Sequence, residues 1–567
     1  MLQVTLHSAL EHVQDMYGFD PRSLVAMRIT IALVVLLDIH GRTSPLDDFL
    51  SLHAFYGPNG VWTREHAQTM NPDNAFVIHY GVNSVSGMKL LFAVEAAAAL
   101  FMLVGKNTRF ATFICWALSV GSHRRNDLIA HGGDKMMRSV LLWMCFMPVQ
   151  PCTIDAGTFN VSSFRQLLFS KQPRQWLTFA TVGLSIQLGL LYVFSTFHKS
   201  YISYVSTADA VKCILQFEGY TMMHPLAIAI AEYCPEVILK CLSRTTFFSE
   251  LVFGTILCFP ASAYPQRMRT IALVVLMLLQ IGFKLLLALG TFQWIMLSAQ
   301  IGCLPSYFWE CLFVTDQGPE EVQGKSHESR LEETKRGESS LGRRTERGAQ
   351  KDLNDDKESP AIVPGRSYGW CTETFALALL VLIVLSNINS MVKPGEDAFV
   401  TNSNAGNLMP EGGLMHDIEQ LLGQKQIWNM FTFRSDMPVY TGRVVVIGTL
   451  TDNTKLNLFT LEPWKDSMMS ISHEQYASWD HRWRTYYVTM LYEQTLNLVE
   501  SNAWWQCHKY NELGYRVPTG LRLTNVTYYR VVINVERFHD YEHPKDSTRR
   551  HNATHEFLMT IPCIGKS

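Results

Sequence analysis

Charge is scarce in this chain: Asp, Glu, Lys and Arg make up 17% of its 567 residues, against about 25% in an ordinary soluble domain. The 48 basic and 50 acidic residues nearly cancel. No basic field is left to meet a phosphate backbone, which excludes nucleic acid as a partner. The twelve cysteines contain no C-x-x-C pair, so neither a structural zinc site nor a thioredoxin-like motif is indicated. Walker, G-x-G-x-x-G, H-E-x-x-H and G-x-S-x-G patterns are missing. Residues 1–23 lack the basic region and small-residue cleavage site of a signal peptide. Leu6, Leu10, Val13 and Tyr17 recur there at helical spacing, which predicts an amphipathic helix on a membrane surface.

Apolar residues fill the space that charge leaves, at 48% of the chain. Apolar stretches fall at 24–39, 88–104, 109–121, 139–149, 177–197, 247–260, 270–289, 291–314 and 373–391. A full crossing takes about 20 residues, so several are short. Polar groups inside short spans must face protein or a water-filled cavity. The pattern predicts an all-α multipass transmembrane helix bundle of seven to nine spans, residues 24–315, with a last span at 367–391. Between them, 316–360 holds nine basic and twelve acidic residues. That segment cannot bury enough surface to offset chain entropy, and 316–366 reads as a disordered linker. Its cluster Lys335, Arg336, Arg343, Arg344 and Arg347 suggests a cytoplasmic side, which would put 392–567 in a lumenal or extracellular space. Sequons at Asn525 and Asn552 agree with that side; a third, at Asn160, lies between spans. Only Cys507 and Cys563 follow the last span, and an oxidising lumen would permit a bridge between them.

The tail reads as an α+β soluble domain. Arg443–Gly448 and Lys455–Phe459 flank the turn Thr451-Asp-Asn-Thr454 as a hairpin. Trp479, Trp483, Tyr487 and Met490 line one helix face, and Tyr528–Phe538 reads as a strand. Of two histidine pairs at i, i+4 spacing, His539/His543 is followed by Pro544 and His551/His555 is interrupted by the Asn552 sequon, so both read as loops and no metal site is assigned to them.

Charges inside spans are the first functional candidates, because burying them is costly. These are Arg28 and Asp38 in the first span, then Glu95, Glu250 and Lys284; each is either a working group or half of a pair that fixes helix packing. The segment Ser122-His-Arg-Arg-Asn-Asp127, with His131-Gly-Gly-Asp134, either lines a pocket at the membrane surface or is a solvated connector. Lys199, after the run 177–197, is either a lysine reaching water from a helix end or an amine in a dry pocket, where desolvation favours the neutral base.

In chain order these pieces resemble the horizontally transferred transmembrane domain family, which includes the vitamin K-dependent γ-glutamyl carboxylases. The resemblance rests on Arg28 to Arg42 with its Leu-Asp-Ile, on Phe55-Tyr-Gly57 with Gly60-Val61, and on the turn Gly105-Lys-Asn-Thr-Arg109. It continues through Asn126 to Asp134, Tyr192 to Lys199, Thr245 to Glu250, Gly282 to Pro305 and Trp428-x-Met430-Phe431. It covers about residues 20–315 and, more thinly, 373–460.

The resemblance implies a bundle acting on reduced vitamin K or another quinol, with Lys199 as the base that deprotonates it and Asn126 and Asp127 beside it. It implies residence in the endoplasmic reticulum or secretory pathway, membrane lipid as a partner and a secretory-pathway protein as substrate. Two positions depart from the carboxylase pattern. Asp127 stands where a histidine follows the asparagine, and Lys284 stands where a histidine follows Phe283. The tail is also short for a carboxylase substrate-binding region. The alternative is a non-catalytic member that binds lipid, transports or serves as a scaffold on the same fold.

Overall fold

A computed structural model describes residues 2–43, 51–62, 78–126, 129–148, 175–216, 224–287, 289–313, 370–390, 413–422, 440–459, 461–465, 481–492, 496–514, 520–534 and 554–563. The chain begins with helices α1 (Leu2–Tyr17), α2 (Pro21–Thr43) and the short α3 (Ser51–Tyr56). Next come α4 (Val85–Val104), α5 (Thr108–Arg125), α6 (Gly132–Phe146) and α7 (Phe179–His198). After the short α8 (Ala210–Leu215) and α9 (His224–Tyr233) follow α10 (Glu236–Cys258), α11 (Pro265–Leu286), α12 (Phe292–Gly302) and α13 (Ser306–Phe313). α14 (Trp370–Ser390) and α15 (Leu414–Leu422) precede the tail.

Five of these helices are long and apolar enough to cross a membrane: α2, α4, α7, α11 and α14. That number is consistent with an integral membrane protein and is smaller than the seven to nine spans expected. The stretch at 139–149 falls in α6, of 15 residues, and that at 291–314 divides into α12, of 11, and α13, of 8, each too short for a crossing of about 20. Residues 2–17 form a helix, α1, and its end is tied inward: the Tyr17 hydroxyl donates to the Cys258 carbonyl at 2.7 Å.

Local chemistry sets the helix ends. Gly105 closes α4 with φ +82°, and a Cβ there would lie 2.6 Å from the Arg28 guanidinium. Only glycine fits both the left-handed turn and that approach. Arg28 therefore sits over the α4–α5 turn, away from Asp38, which lies near the other end of α2. Thr178 caps α7, its hydroxyl accepting from the Thr181 amide, and α7 stops at Lys199, whose backbone is extended. A single π-turn follows at Ile202–Ser206.

α7 packs against α10 and α14, α2 against α4 and α12, and α5 against α4 and α6. The α7–α10 contact is made backbone to backbone. A Cβ on Gly189 would come 2.6 Å from the Gly254 carbonyl oxygen, and one on Gly254 would come 3.0 Å from that of Gly189. Small residues permit such close helix approach in membranes.

In the tail, four antiparallel strands run in the order β2-β1-β3-β4: β1 (Tyr440–Leu450), β2 (Lys455–Asn457), β3 (Leu523–Asn534) and β4 (Thr554–Pro562). The hairpin read from the sequence is β1–β2, in register Ile447 to Asn457. The aromatic face belongs to α16 (His481–Tyr492), which joins α17 (Leu496–Asn511) in burying Trp483, Tyr486, Tyr487 and Met490 with Val444, Val446 and Tyr528 of the sheet. A disulfide joins Cys507 on α17 to Cys563 just beyond β4. Asn525 lies half-buried on the central strand β3, His555 pairs with Val531 across β4 and β3, and Asn552, His539, His543, His551 and the 428–431 motif lie outside the described residues.

Replacing Gly189 or Gly254 by leucine should force α7 and α10 apart, at a cost of about 1–3 kcal/mol or more. The expected result is loss of the monodisperse peak on size-exclusion chromatography and a lower melting midpoint. Gly41→Ala, whose new Cβ meets nothing within 4 Å, should match wild type.

Candidate functional site

Two buried groups of charges take in Asp38, Glu250 and Lys199 among the candidates. The first gathers where the last turns of α2 and α5 meet the first turn of α6. His131 and Asp134 form a reciprocal cap: the His131 ring Nδ1 accepts from the Gly133 amide at 2.9 Å, and Asp134 Oδ2 accepts from the His131 amide at 3.2 Å. The Gly-Gly-Asp segment is thus a helix start, neither a pocket-lining loop nor a solvated connector, and its acidic first turn suits the helix dipole.

Asp134 is fully buried and faces Arg42, whose Nη2 donates to Asp134 Oδ1 at 3.3 Å while its Nε donates to Asp38 Oδ2 at 2.8 Å. Arg42 Nη1 donates to the Tyr56 hydroxyl at 2.7 Å. His123 Nε2 lies 3.7 Å from Asp38 and 3.5 Å from Asp134. From the tail, Arg482 of α16 inserts a guanidinium that bonds Asp38 Oδ1 and lies 3.8 Å from Asp134 Oδ2. Phe55 covers the junction, its ring 4.5 Å from that of Trp483.

Asp38, His123 and Asp134 place three ligand atoms within 4.8 Å of one another, enough by type for a cation. Arg42 and Arg482 already balance both carboxylates, so a divalent ion would leave a buried excess of positive charge. The arrangement is that of a salt-bridge network joining the tail to the bundle.

Two neighbours continue this polar region. Glu95 accepts from Ser119 at 2.6 Å. Asn126 is fully buried and donates to the Phe55 carbonyl at 3.4 Å. Asp127 lies outside the described residues. His79, on a short turn before α4, is buried; burial, with Arg42, His123 and Arg125 nearby, pushes its imidazole down to about 3.

The second group surrounds Lys199. Its ammonium contacts Glu250 of α10 directly, lies 5.3 Å above the Tyr204 ring, and is buried with Glu250. Thr196 donates to the same carboxylate at 3.5 Å. The Tyr192 hydroxyl, one α7 turn earlier, accepts from Gln280 at 2.9 Å and from Gln300 at 2.6 Å. Of these groups, Tyr192, Lys199, Tyr204, Glu250 and Gln280 line a cavity of about 270 Å³. The rest of the lining is mostly apolar, including Leu191, Ile214, Leu279, Phe283, Leu286 and Phe292. Asn126 is not among the lining residues; the pairing of Asn126 with Lys199 expected from the sequence is not made. Lys284 is turned elsewhere, over the Trp294 ring at 5.6 Å.

Comparison with protein-family models, with curated proteins and with solved structures gives no match. Function must be read from the geometry. Of the residues that build the two clusters, sequence reasoning reached Asp38, Glu250 and Lys199 through their charge in apolar runs. It missed Arg482, which is next to the named Trp483 and carried a readable signal: an arginine beside an aromatic helix face meant for burial. Gln280 and Gln300 carried no signal beyond a lone amide in an apolar run.

Arg482→Ala leaves Asp38 without one of its buried partners and should cost about 3–5 kcal/mol. Arg530→Ala, which breaks the pair with the 53% exposed Glu556 side chain, should cost less than about 1 kcal/mol. Chemical denaturation of the detergent-solubilised protein separates the two. For His79, the folded value of about 3 lies below the free value of 6.5. The unfolded chain therefore binds the extra proton between them, and the stability from burying a neutral ring is present above 6.5 and lost as pH falls toward 3. The melting midpoint should drop between about pH 7 and about pH 5, with a smaller drop in His79→Phe.

Proposed function

We propose that the chain belongs to the horizontally transferred transmembrane domain family and binds a quinol- or lipid-like molecule within the membrane. One observation carries this reading: a buried lysine and glutamate stand at the wall of an apolar cavity of about 270 Å³. Such a cavity suits a ligand with an apolar body and one polar group, since ligand sites are mostly apolar with a few placed polar contacts. The collinear motifs support the family, and they include the residues of both clusters on the bundle side: Asp38, Arg42, Asp134, Lys199 and Glu250.

In the carboxylase-like form of this reading, Lys199 takes the proton from a quinol hydroxyl and Glu250 stabilises the resulting ammonium. Reduced vitamin K or another quinol is the cofactor, and a secretory-pathway protein carrying glutamate is the substrate. A specific observation favours the non-catalytic alternative. Lys199 is already engaged with Glu250, and an ammonium has no lone pair to offer a quinol proton until it has given up a proton of its own. Asn126, which the carboxylase reading sets beside the lysine, is bonded to Phe55.

The test is binding of a short-chain naphthoquinol to the protein in lipid nanodiscs. Losing a charge-assisted hydrogen bond is worth about tenfold or more in affinity, so Lys199→Ala should weaken binding by that factor. The paired Lys199→Met/Glu250→Gln variant, which leaves no lone buried charge, should do the same with its melting midpoint retained. Binding by wild type and both variants alike contradicts the assignment of the site. Labelled CO₂ incorporation into a glutamate-rich peptide then divides the two forms: incorporation that needs Lys199 establishes the enzyme, and binding without incorporation establishes the binding protein.

A further inference from the structure

The cavity at Lys199 is small and open on one side. At about 270 Å³ it falls at the low end of ligand pockets, which run to about 300–1,000 Å³. It has room for a ring-sized head and little of an isoprenoid or acyl chain. Its polar lining comes from Tyr192, Ser195 and Lys199 at the end of α7, Thr246 and Glu250 on α10 and Gln280 on α11. Beyond these groups, the lining passes to Leu242 on α10 and Leu278 on α11, which are 46% and 62% exposed. Both side chains touch the cavity and the outside of the bundle. Gly282, one turn beyond Leu278 on α11, also lines the cavity, and a Cβ built there meets nothing within 4 Å.

α11 is itself one of the five helices long and apolar enough to cross a membrane; with α11 as a span, the exposed Leu278 faces lipid. An exposed apolar lining at that depth costs nothing against acyl chains. Resting on the binding reading above, we infer that the ligand enters sideways from the bilayer between α10 and α11. Its polar head reaches Lys199 and Glu250, and its apolar tail lies in the α10–α11 gap over Gly282. The glycine is the specificity-determining position: its missing side chain is the space through which the tail leaves.

The inference separates head binding from tail binding. Two probes serve, 2-methyl-1,4-naphthoquinone and the same ring carrying two isoprene units, each titrated against the protein in nanodiscs. Gly282→Phe should weaken the tailed probe by about tenfold or more while the tailless ring stays within about twofold. Gly282→Ala should resemble wild type with both. Leu285→Trp adds similar bulk to the same helix at a 66% exposed position that does not line the cavity, and should change neither.

Unchanged binding of the tailed probe in Gly282→Phe, with the melting midpoint retained, overturns the lateral opening. Equal losses for both probes also overturn it, because Gly282 would then border the head. If wild type binds neither probe, the quinol reading itself fails, and the inference with it. A Gly282→Phe protein that does not fold is replaced by Leu278→Trp, on the outer rim of the same gap, for which the same difference between probes is expected.

Discussion

A charge withdrawn from water inside a helix bundle has to find a partner there, and the pairing of opposite charges organises the molecule. Moving an ion into a low-dielectric interior costs several kcal/mol even after relaxation, and the lipid around the bundle offers no partner. Besides the buried Asp20–Arg22 pair at the start of α2, the chain pairs buried charges in two clusters. Asp38 and Asp134 are answered by Arg42 within the bundle and by Arg482 from the tail. Glu250 is answered by Lys199 across the α7–α10 contact. The first solution ties two parts of the chain together, since one carboxylate set is shared by α2, α6 and α16. The second places a polar spot in an otherwise oily wall.

The two clusters differ in what surrounds them, and that difference assigns their roles. Around Asp38 the space is filled by Tyr56, His123 and Arg42, with Phe55 and Trp483 closing the junction. There two carboxylates meet two guanidinium groups, and the charges balance among themselves. Around Lys199 the neighbouring space is a cavity with apolar walls. The glycine contact of α7 with α10 fixes the distance at which lysine and glutamate meet. The π-turn after Lys199 then carries Tyr204 back over its ammonium; such turns recur at functional sites because they re-aim a side chain inside a helical run.

Much of the architecture could be read from the sequence where a pattern reports burial directly. The apolar runs become helices, the Thr451–Thr454 turn becomes the β1–β2 hairpin, and Trp483, Tyr487 and Met490 share the buried face of α16. Span number was harder, because hydropathy marks an apolar run without saying whether the helix is long enough to cross; α6 and α12 are apolar and stop short. The Gly-Gly-Asp segment shows a different limit. Its glycines and acid read equally well as loop or pocket, and only the backbone shows them to be the first turn of α6.

Partnership was the least legible property. Arg28 and Asp38 lie on one helix and go to different ends of it, and Asp38 finds Arg482 more than 440 positions away. Charge in an apolar run says that a partner exists; which one is decided by helix packing. The resemblance to the carboxylases brought Lys199 and Asn126 forward together, and the packing puts them in separate surroundings.

The central claim is that the Lys199 cavity holds a membrane-dissolved ligand head. The most direct measurement is photo-crosslinking of the nanodisc-embedded protein with a diazirine-bearing naphthoquinone, followed by mass spectrometry of the labelled peptides. The account predicts adducts on α7, α10 and α11 residues that line the cavity, reduced by competing unlabelled quinone. Adducts confined to other helices, or spread over the lipid-facing surface without competition, would contradict it.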